Sequence, residues 1–554
     1  MGQDLGAAAV EQQTGTVTKT DVAPAARTGR STARVWWLAA LAGIGAALTA
    51  LGVGELLAAA ISARSGPLVA VGGVVVDNVP EWGKQFAIDV FGTNDKLALQ
   101  VGTVVLLCVF AAVLGVLGLR RFWIGVAGIV AFGVLGAVAA VTRTGSSWVW
   151  AVPAVVGTIA AVATLWVLLA FLARSVLPAD VPADRLLDGG DRRAPEGMRA
   201  VAARRRFLQA AGAAIGGGTV LGLLGHFLGQ SSGVNEARDA VAAKLPEPSG
   251  EPVSPIPEAD AAGLKYVTPN ADFYRIDTAL VVPRVDPASW KLTINGRVAK
   301  PLTLTFDELL ALPTIERYVT LTCVSNEVGG DLIGNARWLG VPIADLLDRV
   351  QPEPGADQVV SFSVDGFTAG TPTAALRDGR DAMLAIAMNG EPLPVQHGFP
   401  VRMVVPGLYG YVSATKWLAR LELTTFADYD AYWVPRGWAQ QAPIKTGSRI
   451  DRPQGGSQVG AGDVVVAGVA WAQHRGVSKV EVRVDRGAWQ SATLAAVASV
   501  DTWRLWSWRW NATPGNHVLE VRAFDNAGAV QIESEAPPAP DGATGYHRIN
   551  VRVG

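Results

Sequence analysis

Arg317-Tyr318-Val319-Thr320-Leu321-Thr322-Cys323, followed by Val324-Ser325-Asn326-Glu327-Val328-Gly329-Gly330, is the stretch on which the reading of this chain turns. Alternation puts Val319, Leu321 and Cys323 on one face, which predicts a strand with a single apolar side. Asn326, Gly329 and Gly330 predict a turn just beyond it. Such a strand presents one thiol at the mouth of a loop. One soft sulfur ligand beside flexible backbone suits a large metal cofactor. A buried free cysteine acting as a small hydrophobe fits the same local pattern, so the wider sequence has to decide.

The chain has 554 residues, enough for several domains, and is 50% hydrophobic with only 17% charged residues. The charge deficit lies almost entirely before residue 230, which separates a membrane half from a water-soluble half. A net charge of −1 gives no footing for nucleic-acid binding. Two cysteines exclude a disulfide framework, a cysteine-based zinc site and a cysteine-ligated iron–sulfur cluster. No Cys-x-x-Cys-His run provides for c-type haem. Cys108, inside an apolar run, reads as inert packing.

Residues 1–34 are polar and aperiodic and are expected to form a disordered cytoplasmic tail. Four apolar runs over 35–175 are each long enough to cross a bilayer as a helix, whereas 67–80 is too short and is expected at the surface or as a re-entrant segment. Arg120 and Arg121, and the arginines of a cytoplasmic loop over 176–206, orient the bundle with its N-terminus inside. The 63–96 loop, with Arg64, Lys84 and Lys96 against Asp77, Glu81, Asp89 and Asp95, is expected outside. Arg204-Arg205-Arg206-Phe207-Leu208 resembles a twin-arginine export signal and opens a fifth transmembrane helix over 207–229. An ordinary positive flank gives the same orientation: the C-terminal half lies on the extracytoplasmic side of a bacterial cell membrane. His226 stands by itself among the spans, so anchoring is favoured over haem ligation.

Residues 230–262 form a stiff proline-rich linker through Pro246, Pro248, Pro252, Pro255 and Pro257. Beyond it, 263–440 has an α+β pattern. Thr305-Phe306-Asp307-Glu308 has the capping-box spacing, and Pro342 opens a helix with the stripe Ile343, Leu346, Leu347, Val350. Over 455–554 the alternating Val480, Val482, Val484 and Trp506, Trp508, Trp510 predict a β-sandwich.

In order, Phe273-Tyr274-Arg275, Leu321-Thr322-Cys323 with Asn326, Ala336-Arg337-Trp338-Leu339-Gly340, Asp365-Gly366-Phe367, Met388-Asn389-Gly390-Glu391-Pro392, His397-Gly398-Phe399-Pro400-Val401-Arg402 and Thr415-Lys416-Trp417 resemble the sulfite oxidase family of molybdopterin enzymes. The architecture then expected is an N-terminal α-helical transmembrane region, an α+β sulfite-oxidase-like molybdopterin domain and a C-terminal immunoglobulin-like β-sandwich that dimerises the family. The resemblance implies that Cys323 binds molybdenum through its thiolate beside a pyranopterin. It implies cofactor contacts from Phe273, Tyr274, Arg275, Asp277, Asn326, His397, Arg402, Ser413, Thr415 and Lys416, with Trp338 and Asp365 lining the catalytic site. Arginine suits the cofactor's phosphate because its planar fork donates two parallel hydrogen bonds. No haem or iron–sulfur cluster is expected, so electrons pass to a separate protein, quinone or cytochrome.

Three departures bear on the substrate. Val328 stands where the family's sulfite-binding arginine is expected, Glu327 adds negative charge, and Asp277 occupies a usual histidine position. The implied activity is therefore two-electron oxygen-atom transfer on a small substrate that is less welcome as a doubly charged oxyanion: oxidation of a sulfur compound, or reduction of a sulfoxide or similar oxide. A non-catalytic, cofactor-bearing membrane assembly module is the alternative, opposed by retention of Cys323. Tyr432, Trp433 and Trp438 fit either a pocket rim or an aromatic domain junction.

Overall fold

The computed structural model describes residues 28–79, 83, 90, 95–143, 145–176, 196–230, 233–249, 253 and 262–554. The tail expected over 1–34 up to residue 27, most of the loop over 176–206, and the linker positions 231–232, 250–252 and 254–261 lie outside the described residues.

The N-terminal half is helical: α1 (Thr28–Ile61), α2 (Pro67–Asn78), α3 (Asp95–Arg120), α4 (Phe122–Val141), α5 (Val152–Val176) and α6 (Glu196–Gln230). Among the described residues, five of these helices, all but α2, are long and apolar enough to cross a membrane. α1 is the hub and packs on α3, α5 and α6. Its approach to α3 depends on small residues, since a Cβ on Gly43 would lie 1.8 Å from the Ala111 carbonyl oxygen. The short α2 starts with Pro67 at its first turn. The arginines of the export-like motif are helical and continuous with α6.

A short helix, α7 (Val234–Ala242), carries the chain into the soluble half. Val234 and Val241 are buried in that half's core, and Arg238 donates to the carbonyls of Pro392 and Leu393 at 2.8–3.1 Å.

The α+β domain contains two five-stranded sheets. The first has the order β2-β1-β10-β5-β6, from β1 (Lys291–Gly296), β2 (Leu302–Thr305), β5 (Gln358–Ser363), β6 (Thr368–Pro372) and β10 (Leu418–Thr424). The second has the order β3-β4-β7-β8, with β9 also on β7, from β3 (Ile315–Thr322), β4 (Ile333–Pro342), β7 (Met383–Met388), β8 (Glu391–Pro392) and β9 (Arg402–Val404). α8 (Phe306–Leu310) starts with the expected capping box: the Thr305 hydroxyl accepts from the Glu308 amide, and the Glu308 carboxylate accepts from the Thr305 amide. α9 (Ile343–Val350) buries its whole stripe, Ile343, Leu346, Leu347 and Val350.

The C-terminal sandwich pairs a sheet β11-β13-β17-β16 with a sheet β12-β19-β18-β14-β15. Its strands are β11 (Gly447–Arg452), β12 (Gln458–Val459), β13 (Gly462–Trp471), β14 (Val477–Val484), β15 (Gln490–Ser491), β16 (Thr493–Leu494), β17 (Arg504–Ala512), β18 (Gly515–Asp525) and β19 (His547–Val553). The valines of β14 and the tryptophans of β17 alternate as the sequence predicts, with Val480, Val482, Trp506 and Trp510 buried.

The sandwich and the α+β domain are welded together. Val469, Trp471, Trp503 and Leu505 belong to the same buried cluster as β3 and β4. The loop before β17 runs along the free edge of β3: the Thr320 amide donates to the Asp501 carbonyl at 3.0 Å, and the Trp503 amide donates to the Thr320 hydroxyl at 2.7 Å. This is why Thr320 and Thr322 are buried along with Val319 and Leu321, where simple alternation expects one wet face.

His547, on β19, closes the seam. Its Nδ1 accepts from the Ile450 amide at 3.0 Å, and a Cβ on Gly329 would lie 2.3 Å from its ring. Burial, then the Arg449 charge, pull its pKa from 6.5 down to about 4. The unfolded chain therefore takes up a proton before the folded one does. The stability contributed by the neutral imidazole is whole above about pH 6.5 and is lost as pH falls toward about 4. Its ceiling is about 3 kcal/mol. In thermal unfolding of the detergent-solubilised protein, His547→Asn, which keeps an acceptor near Nδ1, is expected to flatten the fall in Tm between those pH values. An unchanged pH profile would remove His547 as its source.

Candidate active site

Cys323 is the first residue past β3. Its amide donates to the Leu332 carbonyl at 2.9 Å, and its carbonyl accepts from the Asn326 amide at 3.1 Å. The Asn326 side-chain oxygen accepts from the Leu332 amide at 2.8 Å. Asn326 therefore shapes the loop that holds the cysteine. From the far side, Arg449 Nη1 donates to the Gly330 carbonyl at 2.7 Å. The glycines of the turn thus admit side chains of the sandwich at close range.

The thiol is buried among cations. Burial pushes the Cys323 pKa up, opposed by hydrogen bonds at Ser325 and by the charge of Lys416. Arg402 is 4% exposed and donates to the His397 carbonyl at 3.1 Å and the Ala414 carbonyl at 3.4 Å. Its guanidinium lies 5.1 Å from the centre of the Trp338 ring. Lys416 donates to Asp277 Oδ2 at 3.1 Å and to the Gln396 carbonyl at 3.2 Å. Burial lowers Lys416 to about 8 and Arg402 to about 10, against the raising influence of Asp277 and Tyr274 respectively. Arg275, more exposed, donates to the same Asp277 oxygen at 3.0 Å. Asp277 thus bridges two cations, a role that its negative charge serves and that a histidine at this position would not.

His397 is 2% exposed. Burial first, then Arg402 and Lys416, depress its pKa to about 3, so the ring is neutral. Its Nε2 lies 3.2 Å from the Asn270 carbonyl, an acceptor only, so the proton sits on Nε2. Phe273 packs edge-on against both Trp338 and His397 and stacks on Tyr274. Tyr274 is raised by burial, then by proximity to Cys323.

Trp338 is fully buried with its indole N–H on the Val319 carbonyl at 3.1 Å, and its ring packs against Arg402 and Phe273. From Ser413 to Lys416 the expected cofactor contact is through the backbone, and the side chains of Ser413 and Thr415 are held within the fold: the Ser413 hydroxyl donates to the Leu408 and Tyr409 carbonyls, and the Thr415 hydroxyl pairs with Ser361 at 2.7 Å. Sequence reasoning did not single out Tyr409, which burial pushes up to about 12 and whose phenol feels the charge at Cys323. Nor did it find Gln473, whose amide donates to the Thr322 hydroxyl at 3.0 Å from the sandwich.

The donor set fits a molybdopterin. The buried thiol has Lys416 beside it and Arg402 close by through Tyr274, and among the described residues Asp277, on Lys416, is the carboxylate that pairs with either. Asp365 adds an oxygen, Oδ2, that is buried and accepts no hydrogen bond among the described residues, while its Oδ1 accepts from the Phe367 amide at 3.1 Å. An anionic phosphate and a pterin ring edge rich in N–H donors would answer both deficits. Arg275, Arg402 and Lys416 would hold the anion, Asp365 the ring edge, and Cys323 the metal.

Comparison with known proteins gives the family. A family model described as the oxidoreductase molybdopterin binding domain matches residues 279–433, and one described as a bacterial Ig domain matches 448–521. The mitochondrial sulfite oxidase of Rattus norvegicus is 30% identical over 359 residues, which is 55% of this chain and 65% of that protein. The sulfite oxidase of Gallus gallus is 30% identical over 342 residues, 52% of this chain and 73% of that protein. The sulfane dehydrogenase SoxCD from Paracoccus pantotrophus, a solved structure, aligns with a TM-score of 0.47 and 26% identity over 55% of this chain and 86% of that one. The chain spans 63–65% of the length of the rat, mouse and human relatives. Taken with the site's chemistry, the chain belongs to the sulfite oxidase family of molybdopterin-binding oxidoreductases.

Proposed function

We propose that this protein is a membrane-anchored oxidoreductase that carries out two-electron oxygen-atom transfer on a small, weakly charged, sulfur-containing substrate. The observation that carries the proposal is the Cys323 thiol buried beside Lys416 and Tyr274, with Arg402 on the same tyrosine. When bound, the molybdopterin supplies the two-electron redox change and the exchange of one oxygen atom with substrate. The chain does the rest. Lys416 favours the thiolate of Cys323 over the thiol. Arg275 and Arg402 hold negative charge on the cofactor. Neutral His397, donating from Nε2 to the Asn270 carbonyl, keeps its segment in place beside Arg402.

Substrate choice follows from what the Cys323 loop lacks. Val328 brings no charge, and Glu327 disfavours a dianion. Phe367, Tyr432, Trp433, Trp438 and Tyr411 form a chain of ring contacts with centroids 5.2–6.2 Å apart. In this reading they are the apolar rim of the substrate pocket. Electrons pass to a separate partner, a protein, cytochrome or quinone. The helices hold the catalytic half on the extracytoplasmic face, and the sandwich supports a homodimer.

Cys323→Ser, purified beside wild type after expression in a cofactor-competent host, is expected to lower turnover with artificial electron donors or acceptors by at least about 100-fold. Equal activity in the two proteins would remove the enzyme reading and leave the non-catalytic module. Val328→Arg restores a cation and is expected to raise kcat/KM for sulfite, relative to a neutral sulfoxide, by about tenfold; an unaltered ratio would separate Val328 from substrate choice. Protease added to spheroplasts is expected to cut the C-terminal half. Full protection of that half would reverse the topology.

A further inference from the structure

The hairpin between α1 and α2 reaches out of the helical bundle and touches the lip of the cofactor site. Arg64 Nη1 donates to the Val364 carbonyl at 2.5 Å, and its charge attracts the neighbouring Asp365 carboxylate. Val364 is gripped from the other side too, since its amide donates at 2.9 Å to the carbonyl of Trp417, the residue after Lys416. The Val364–Asp365 turn therefore hangs between the cofactor domain and the membrane half.

Arg64 is set in place before it makes this contact. Its own amide donates to the Ser62 hydroxyl at 3.3 Å, and its guanidinium lies 5.2 Å from the centre of the Trp150 ring. The Glu55 carboxylate accepts from the Leu68 amide at 3.1 Å, which ties the start of α2 back to α1 and fixes the hairpin between them. A short, charge-assisted hydrogen bond from so constrained a donor can define where a turn sits.

We infer that the membrane half completes the cofactor pocket, with Arg64 as a positioning residue that holds the Val364–Asp365 turn so that the unsatisfied Asp365 oxygen faces the pterin. The inference rests on the proposed function, because it takes the site to hold the pterin that Asp365 would meet. It goes beyond that function by making the helices part of the site as well as its anchor. Nothing in the matched families assigns Arg64, which lies far outside residues 279–433 and 448–521.

The test uses the full chain in detergent or nanodiscs, as wild type, Arg64→Ala, Arg64→Lys, Asp365→Asn and the Arg64→Ala/Asp365→Asn double variant. Two readouts are independent of turnover: the rate of pterin release on dilution, and the paramagnetic resonance signal of the singly reduced metal. Arg64→Ala is expected to release pterin about tenfold faster and to shift the resonance signal. Arg64→Lys, which keeps the charge, is expected to recover most of both. The double variant should release pterin no faster than Asp365→Asn, since both changes break one linkage. Arg64→Ala indistinguishable from wild type in both readouts, or a double variant whose effects multiply, would overturn the inference while leaving the proposed function standing. Wild-type protein devoid of molybdenum would instead remove the proposed function and this inference with it.

Discussion

Two positive charges buried beside a thiol, with one carboxylate between them and Arg275, set the terms for the rest of this molecule. Burying a cation costs several kcal/mol unless it is paired. Arg402 is 4% exposed and the Lys416 side chain 11%, and Asp277 serves Lys416 and Arg275 together. The depressed pKa values of Lys416, Arg402 and His397 record that strain. A site built this way suits an anion. The dithiolene and phosphate of a pyranopterin are such groups, and Cys323 would bind their metal.

Precision at Cys323 then depends on what stiffens β3. The strand would be an edge on one side, open to slippage or to pairing with another chain. The sandwich removes that edge. Asp501, Trp503 and Gln473 bond to Thr320 and Thr322, while Arg449 and His547 press on the glycines beyond the cysteine. The C-terminal domain therefore steadies the Cys323 loop from behind, whatever it does between copies of the chain. On the opposite lip, the α1–α2 hairpin grips the Val364–Asp365 turn. The cofactor domain is braced on one side by a β-sandwich and on the other by a helical bundle.

Local pattern made much of this legible. The α8 capping box, the apolar stripe of α9, the alternation in β14 and β17, and the long apolar helices all follow from spacing that needs no distant partner. The ordered motifs brought Cys323, Arg275, Asp277, His397, Arg402 and Lys416 into one reading, and the fold gathers them around one buried thiol. Contacts distant in sequence were not legible. Thr320 alternates as a solvent-facing residue would, and only the loop near residue 501 buries it. Trp338 sits in a motif beside site residues, yet its indole is spent on Val319. Arg64 counted only as one charge in an outward loop, because no local signal places residue 64 against residue 364.

The central claim concerns a single bond from Cys323 to a pterin-held metal, and X-ray absorption at the molybdenum edge addresses it most directly. The account predicts molybdenum in the purified wild-type protein with one more sulfur neighbour than in Cys323→Ser. Molybdenum with the same sulfur count in both proteins, or no molybdenum in protein from a cofactor-competent host, would contradict it.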